Sequence, residues 1–173
     1  MINNKCIFFD RDGTLIKAPV DKKKLPKSYK TINQIYLDPE IVKICKILGK
    51  KYYLFMITNQ PDIPRRNNSK INELNINNFL KKSLNLTEVC TNFSDDEKNY
   101  FRKPNPGMIF YLKKKYNICL EKSFVIGDRW RDIDAGNNAG CKTIFIDHNY
   151  NEKINSKPTF IIKSFKEIFK FLK

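Results

Sequence analysis

The stretch FFDRDGTLIK, residues 8–17, sets two carboxylates one residue apart, Asp10 and Asp12, directly after an apolar run that begins at Cys6. Two acids at such a bend can converge on a hard cation such as Mg²⁺, because a side-chain oxygen and a backbone carbonyl then reach the same ion. Gly13 permits the close turn. A simple turn signal would account for Asp12-Gly13 and leave Asp10 without a reason. A third acid, Asp128, follows the apolar run SFVIG and would complete an oxygen-lined site that leaves room for waters and a phosphate. Thr58 closes the run YYLFMIT, and Arg102-Lys103 arrive just before Asn105-Pro106. Acids, a hydroxyl and cations in these places suit phosphate chemistry.

Those residues need a frame, and the sequence reads as short β-like runs alternating with helical patterns, the signature of βαβ units around a mainly parallel sheet. Strands are expected at KCIFF (5–9), YYLFMIT (52–58), LTEVC (86–90), SFVIG (123–127), KTIFI (142–146) and TFIIK (159–163). Asp38-Pro39-Glu40 opens one helix and Ser69 caps a second. Asn105-Pro106 opens GMIFYLKKKY, another helix surrounds Ile133 to Ala139, and SFKEIFKFL from Ser164 reads as a closing amphipathic helix with a capping box. Asp10, Thr58 and Asp128 then fall at the carboxyl ends of strands, where open α/β sheets place their sites.

The bulk properties bound the rest. A chain of 173 residues with 41% hydrophobic content supports one core and a single domain over 1–173. No apolar run approaches the roughly 18 residues of a membrane span, and MINNK lacks a leader pattern, so a cytoplasmic location without membrane contact is expected. The five cysteines form no C-x-x-C pair and read as reduced thiols, with Cys6, Cys45 and Cys119 as small core residues. The formal charge of +15 invites a nucleic-acid reading. Its lysines are scattered without interleaved aromatics, which favours a solvated surface. Trp130 and His148 are read as a packed aromatic and a solvent-facing loop residue.

Four stretches together resemble the motifs of the haloacid dehalogenase superfamily of aspartate-nucleophile phosphatases: FFDRDGTLI, ITNQ, RKPNPGM and VIGDRWRDIDAGNNAG, in that order. The T-N-Q and R-K-P-x-P-G-M forms are similar to the capless subclass IIIA, which contains heptose-bisphosphate phosphatases and histidinol-phosphatases. The resemblance implies a three-layer Rossmann-like fold and a Mg²⁺-dependent phosphatase acting on a small phosphorylated sugar, with a place in heptose supply for surface polysaccharide. The intervals between motifs leave no room for a cap domain. By the same resemblance Asp10 is the nucleophile and Asp12 the acid and then the base. Mg²⁺ is held by the Asp10 side chain, the Asp12 backbone carbonyl and Asp128. Thr58 and Asn59 donate to the transferring phosphate, and Lys103 supplies charge. Arg102 reads the substrate beyond that phosphate. Arg129 either joins it or, like Arg131, forms a surface ion pair with Asp132 or Asp134. Asp132 either orients the metal site from behind its ligands or sits in a helix's first turn for the dipole.

The family's zinc loop is altered here. In CTNFSDDEKNYFRKP, Cys90 remains, but Asn92, Asn99 and Phe101 stand near the other ligand positions, so no structural zinc is expected. Packing of Tyr100 and Phe101 is expected to fix the loop instead. A monomer is expected, with the loop DKKKLPKSYK (21–30) gripping the sugar. The rival enzyme reading is a polynucleotide 3′-phosphatase, which the positive charge favours. A phosphate-binding scaffold without turnover ranks last, because the motif residues needed for turnover are present.

Overall fold

The computed structural model describes residues 4–152 and 156–172. Residues 1–3, the head of the MINNK stretch read for a leader, lie outside the described residues. Six strands, β1 (Cys6–Phe9), β2 (Tyr53–Asn59), β3 (Glu88–Asn92), β4 (Phe124–Gly127), β5 (Lys142–Ile146) and β6 (Phe160–Ile162), form one sheet in the order β3-β2-β1-β4-β5-β6. Every neighbouring pair is parallel. Four α-helices, α1 (Pro39–Leu48), α2 (Lys70–Ser83), α3 (Gly107–Tyr116) and α4 (Trp130–Ala139), make the crossovers.

Burial on both faces explains the continuous apolar strands. Ile7, Phe9, Leu54 and Met56 pack toward α1 and α2 through Ile44, Leu48, Ile76 and Leu80. Cys6, Phe8, Phe55 and Ile57 turn the other way, onto Met108 and Leu112 of α3 and Ala135 and Ala139 of α4. The period of two along each strand thus divides one hydrophobic run between two cores, giving helix, sheet and helix layers. Helix ends follow local chemistry: Asp38 accepts from the Glu40 amide at 2.8 Å, and Ser69 Oγ accepts from the Asn72 amide at 3.1 Å. Left-handed Asn117 closes α3 and left-handed Gly140 closes α4.

Three details differ from the sequence reading. The tail is a 3₁₀ helix, Phe165–Lys170, although its capping box through Ser164 and Glu167 forms as expected. Phe165, Ile168 and Phe171 repeat every third residue, which a 3₁₀ helix aligns on one face, and Phe171 stacks on Phe160 at 4.1 Å. Second, β3 begins two residues later than expected, because the Leu86 amide is still bonded to Lys81 at the end of α2. Third, Cys119 is half-buried, whereas Cys6 and Cys45 are in the core.

The segment between β1 and α1 contains turns and one 3₁₀ turn, Ile32–Gln34, and the segment between β2 and α2 contains turns. Neither carries a cap among the described residues. Crossovers leave the sheet in opposite directions from β1 and β4, so a crevice opens outside the carboxyl ends of these two strands.

Candidate active site

Asp10 is the first residue beyond β1, and its amide extends the β1–β4 pairing by donating to Ile126 O at 2.9 Å. Asp128 is the first residue beyond β4. The chain can bend back after Asp10 because Gly13 adopts φ +87°, and a Cβ there would stand 1.8 Å from Asp128 Oδ2. Gly127 serves the neighbouring acid in the same way: a Cβ would meet the Asp132 carboxyl carbon at 2.4 Å. Asp10, Asp128 and Asp132, all buried, therefore present carboxylate oxygens within 4.8 Å of one another.

Lys103 is the cation inside this group. Its ammonium donates to Asp10 Oδ1 at 2.6 Å, Asp132 Oδ1 at 2.6 Å and Ile57 O at 2.8 Å, which engages all three of its protons. One ammonium cannot neutralise three acids. Burial above all, opposed by Lys103 and reinforced by Asp132 and Asp12, pushes the Asp10 carboxyl up to about 6. Burial followed by repulsion from Asp10 and Asp132 raises Asp128 well above the ordinary carboxylate range. Burial disfavours the charged form of Lys103, but Asp10 and Asp132 outweigh it and the pKa rises. Both Asp128 oxygens are buried without a well-formed hydrogen bond, although the Tyr150 hydroxyl lies beside them. An oxygen-only cluster with surplus negative charge and an orphaned carboxylate fits a hard divalent cation.

Asp12 faces a different set of partners. Its Oδ2 accepts from Arg11 Nε at 3.0 Å, Ser28 Oγ at 2.9 Å and Gln60 Nε2 at 2.9 Å, with Arg11 Nη2 also 3.0 Å away. Its Oδ1 is buried and has no partner. Gln60 Nε2 also donates to Thr58 Oγ1 at 2.9 Å, leaving the Thr58 hydroxyl proton free to donate. The Asn59 side chain holds the Lys103 backbone reciprocally, donating to its carbonyl at 2.9 Å and accepting from its amide at 3.1 Å. Asn59 was expected to address phosphate, and its amide instead ties the end of β2 to the loop that carries Lys103.

Asp10, Asp12, Thr58, Asn59, Lys103 and Asp132 line a cavity of about 360 Å³, together with Leu25 to Ser28, Arg65, Glu97 and Arg131. Part of the 21–30 loop therefore borders the site, as the sequence reading anticipated. Arg102 lies at the cavity, but it is buried and anchors the loop behind it by donating to Ser94 O at 2.9 Å and pairing with Glu97 at 3.3 Å. The ion pairs expected of Arg129 and Arg131 with Asp132 or Asp134 do not form. Both Asp132 oxygens are already engaged, Oδ1 by Lys103 and Oδ2 by the Arg129 amide at 3.0 Å. Arg129 instead makes a two-point pair with Glu152, and Arg131 pairs with Glu97 while stacking over Trp130 at 4.5 Å. Asp132 combines its two expected placements, since it caps the first turn of α4 and braces Lys103.

The loop before Arg102 is fixed mainly by polar contacts. Asn105 Nδ2 donates to Asn99 O at 2.9 Å and the Phe101 amide to Asn99 Oδ1 at 2.9 Å, in addition to the Arg102 anchors. Tyr100 and Phe101 touch edge to face at 5.5 Å but are 56% and 40% exposed, so their packing is secondary. His148 is exposed as expected, with Nε2 at 2.7 Å from Gly13 O, and Trp130 is half-buried. Arg11, Ser28, Gln60 and Glu73 were not singled out as site residues. Arg11 alone carried a signal, as an arginine between the two acids.

The HAD-hydrolase-like family matches residues 100–168. The chain is 36% identical over 152 residues to D-glycero-beta-D-manno-heptose-1,7-bisphosphate 7-phosphatase of Helicobacter pylori strain ATCC 700392 / 26695, covering 82% of this chain and 83% of that protein. It is 29% identical over 150 residues to the histidine biosynthesis bifunctional protein HisB of Blochmanniella floridana, where it spans only 41% of the relative's length. Among solved structures, the D,D-heptose 1,7-bisphosphate phosphatase of B. bronchiseptica, complexed with magnesium and phosphate, superposes with a TM-score of 0.76 at 19% identity, covering 96% of both chains.

Proposed function

The chain belongs to the HAD-like phosphatases, and from that membership we propose that it removes the 7-phosphate of a D-glycero-D-manno-heptose 1,7-bisphosphate through an aspartyl-phosphate on Asp10. The observation that carries the mechanism is the contrast between two neighbouring acids. Asp10 is braced by Lys103 inside the carboxylate cluster, whereas Asp12, which lines the same cavity, is gripped on Oδ2 alone and keeps Oδ1 without a partner. The substrate follows from the H. pylori relative, which matches over four fifths of both chains.

In the first step the Asp10 carboxylate attacks phosphorus, the bond from phosphorus to the sugar oxygen breaks, and Asp12 gives its proton from Oδ1 to the departing alkoxide. In the second step a water attacks phosphorus, Asp12 Oδ1 takes the water's proton, and the bond from Asp10 to phosphorus breaks. Inorganic phosphate leaves and both acids are restored. Thr58 supplies its free hydroxyl proton to the phosphoryl oxygens, and Lys103 balances charge on Asp10 while Asn59 holds its backbone in place. Asp10, Asp128 and the Asp12 carbonyl would hold Mg²⁺, with Asp132 bracing Lys103 behind them; the ion neutralises phosphate charge so that an anionic nucleophile can approach. Arg102 and Arg129 line the same cavity, where a second anionic group of the substrate would be read.

The polynucleotide alternative gains no support at the cavity. Among the described residues no aromatic side chain lines it, and Arg65, Arg129 and Arg131 are each paired with an acid. The test is Mg²⁺-dependent phosphate release from the α and β anomers of the heptose bisphosphate, from histidinol phosphate and from a 3′-phosphorylated oligonucleotide. Preference for a heptose anomer and a loss of more than about 10⁴-fold in Asp10→Asn are expected. Equal rates on all four substrates would remove the substrate assignment. Wild-type activity in a purified Asp10→Asn sample would remove the mechanism.

A further inference from the structure

Arg11 and Glu73 are both wholly inaccessible to solvent, and side chains of these types are almost never fully buried unless paired. Their contacts make a chain. Arg11 Nη1 donates to Glu73 Oε2 at 2.6 Å and to Asn77 Oδ1 at 3.1 Å, Asn68 Nδ2 donates to Glu73 Oε1 at 2.7 Å, and Asn77 Nδ2 donates to Thr91 Oγ1 at 3.0 Å. The other edge of the guanidinium reaches Asp12 Oδ2 through Nε and Nη2.

Two features separate this arrangement from a simple staple between helix and sheet. Glu73 and Asn77 are four residues apart on the face of α2 that also buries Ile76 and Leu80, so two polar residues occupy core-facing positions and aim at one guanidinium. A buried ion pair contributes little net stability compared with well-packed apolar residues of similar volume. Its geometric effect is large, because a planar guanidinium fixed through Nη1 and bonded to Asp12 through Nε, with Nη2 in charge contact with the same oxygen, leaves little freedom to the carboxylate it touches.

We infer that Arg11 is a positioning residue for proton transfer: anchored by Glu73 and Asn77 of α2, it holds Asp12 by Oδ2 and so aims Oδ1 at the oxygen that leaves phosphorus. The inference rests on the acid role assigned to Asp12 above. Because the proton matters only when the leaving oxygen is a poor leaving group, the effect of losing Arg11 should depend on the leaving group. A purely structural role would not discriminate between leaving groups.

The experiment uses Arg11→Met/Glu73→Leu, which removes both buried charges and orphans neither. With enzyme in excess over substrate, release of the alcohol or phenol reports the first chemical step alone. The alkyl phosphate ester is expected to slow by about 10- to 100-fold, and p-nitrophenyl phosphate, whose phenolate departs without a proton, by less than about threefold. Equal losses on both substrates, or no loss on either, would overturn the inference. If the double variant does not fold, Glu73→Gln keeps the shape of the anchor, removes its charge, and should show the same bias at smaller amplitude. Asp12→Asn is the companion measurement. Its alkyl rate must collapse while its aryl first step survives, and an unimpaired alkyl rate would show that the acid assignment itself has failed, whatever Arg11 does.

Discussion

A methyl group at position 13 would stand 1.8 Å from Asp128 Oδ2 and 3.0 Å from the Tyr150 hydroxyl, on a backbone already at φ +87°. Gly13→Ala must therefore displace the orphaned carboxylate or strain the bend after Asp10. A stability loss of about 1–3 kcal/mol is expected from the backbone alone. The sharper consequence is for Mg²⁺, because moving Asp128 separates it from Asp10, and calorimetric titration should show at least a tenfold weaker affinity, ~1.4 kcal/mol. Unchanged Mg²⁺ affinity in a folded Gly13→Ala protein would mean that Asp128 is not a ligand. The thiols offer a separate check at this scale. Burial pushes Cys90 up to about 11, with Glu88 adding to it, and pushes Cys45 and Cys141 up to about 12. Their thiolates are scarce at neutral pH, so iodoacetamide should leave these cysteines unmodified in the folded protein and label them after denaturation. Rapid native labelling of Cys90 would contradict its environment on β3.

Between elements, the side chain of Asn59 joins the end of β2 to the loop before α3 by two hydrogen bonds with the Lys103 backbone. Asn59→Ala should cost about 1–3 kcal/mol of stability and, by letting Lys103 shift, lower kcat by about 10- to 100-fold. If Asn59 instead addressed the phosphate directly, KM would rise and the thermal midpoint would hardly move. Such contacts mark the limit of what the sequence makes legible. The six strands and four helices follow from apolar runs and caps, which are local, and α3 and β5 match their expected bounds. Asp10, Thr58 and Asp128 were visible because they end those runs. The partners of Arg11, Arg129 and Asp12 were not, since Glu73, Glu152 and Gln60 lie 62, 23 and 48 residues away and no periodicity connects them. The tail shows a subtler limit: Phe165, Ile168 and Phe171 satisfy an amphipathic helix and a 3₁₀ helix alike, and packing on Phe160 decides between them.

At the scale of the whole molecule, stability should reflect the surplus of negative charge in the carboxylate cluster. Asp10 and Asp128 have raised folded-state pKa values, so between the ordinary value of 3.8 and about 6 the folded chain binds more protons than the unfolded one. Stability from Asp10 is therefore greatest below 3.8 and is lost as pH rises through about 6, and the raised Asp128 acts in the same direction. Glu167, lowered to about 2 by Lys170, works the other way: its contribution is present above 4.5 and lost as pH falls toward 2. Solvent screening of the Glu167–Lys170 pair keeps that contribution small. In chelator, the thermal midpoint should consequently decline from pH 4 to 6.5, and Asp128→Asn should flatten that decline and raise the midpoint at pH 6.5. Mg²⁺ should restore the wild type, because a ligand at about 100 times its Kd adds about 2.7 kcal/mol. In a domain of this size that amounts to a shift of about 5–10 °C. Asp128→Asn should lose most of this Mg²⁺ response while gaining stability in chelator. A midpoint insensitive to Mg²⁺ throughout this range, or an Asp128→Asn protein less stable in chelator than the wild type, would mean that the three carboxylates are balanced by Lys103 alone.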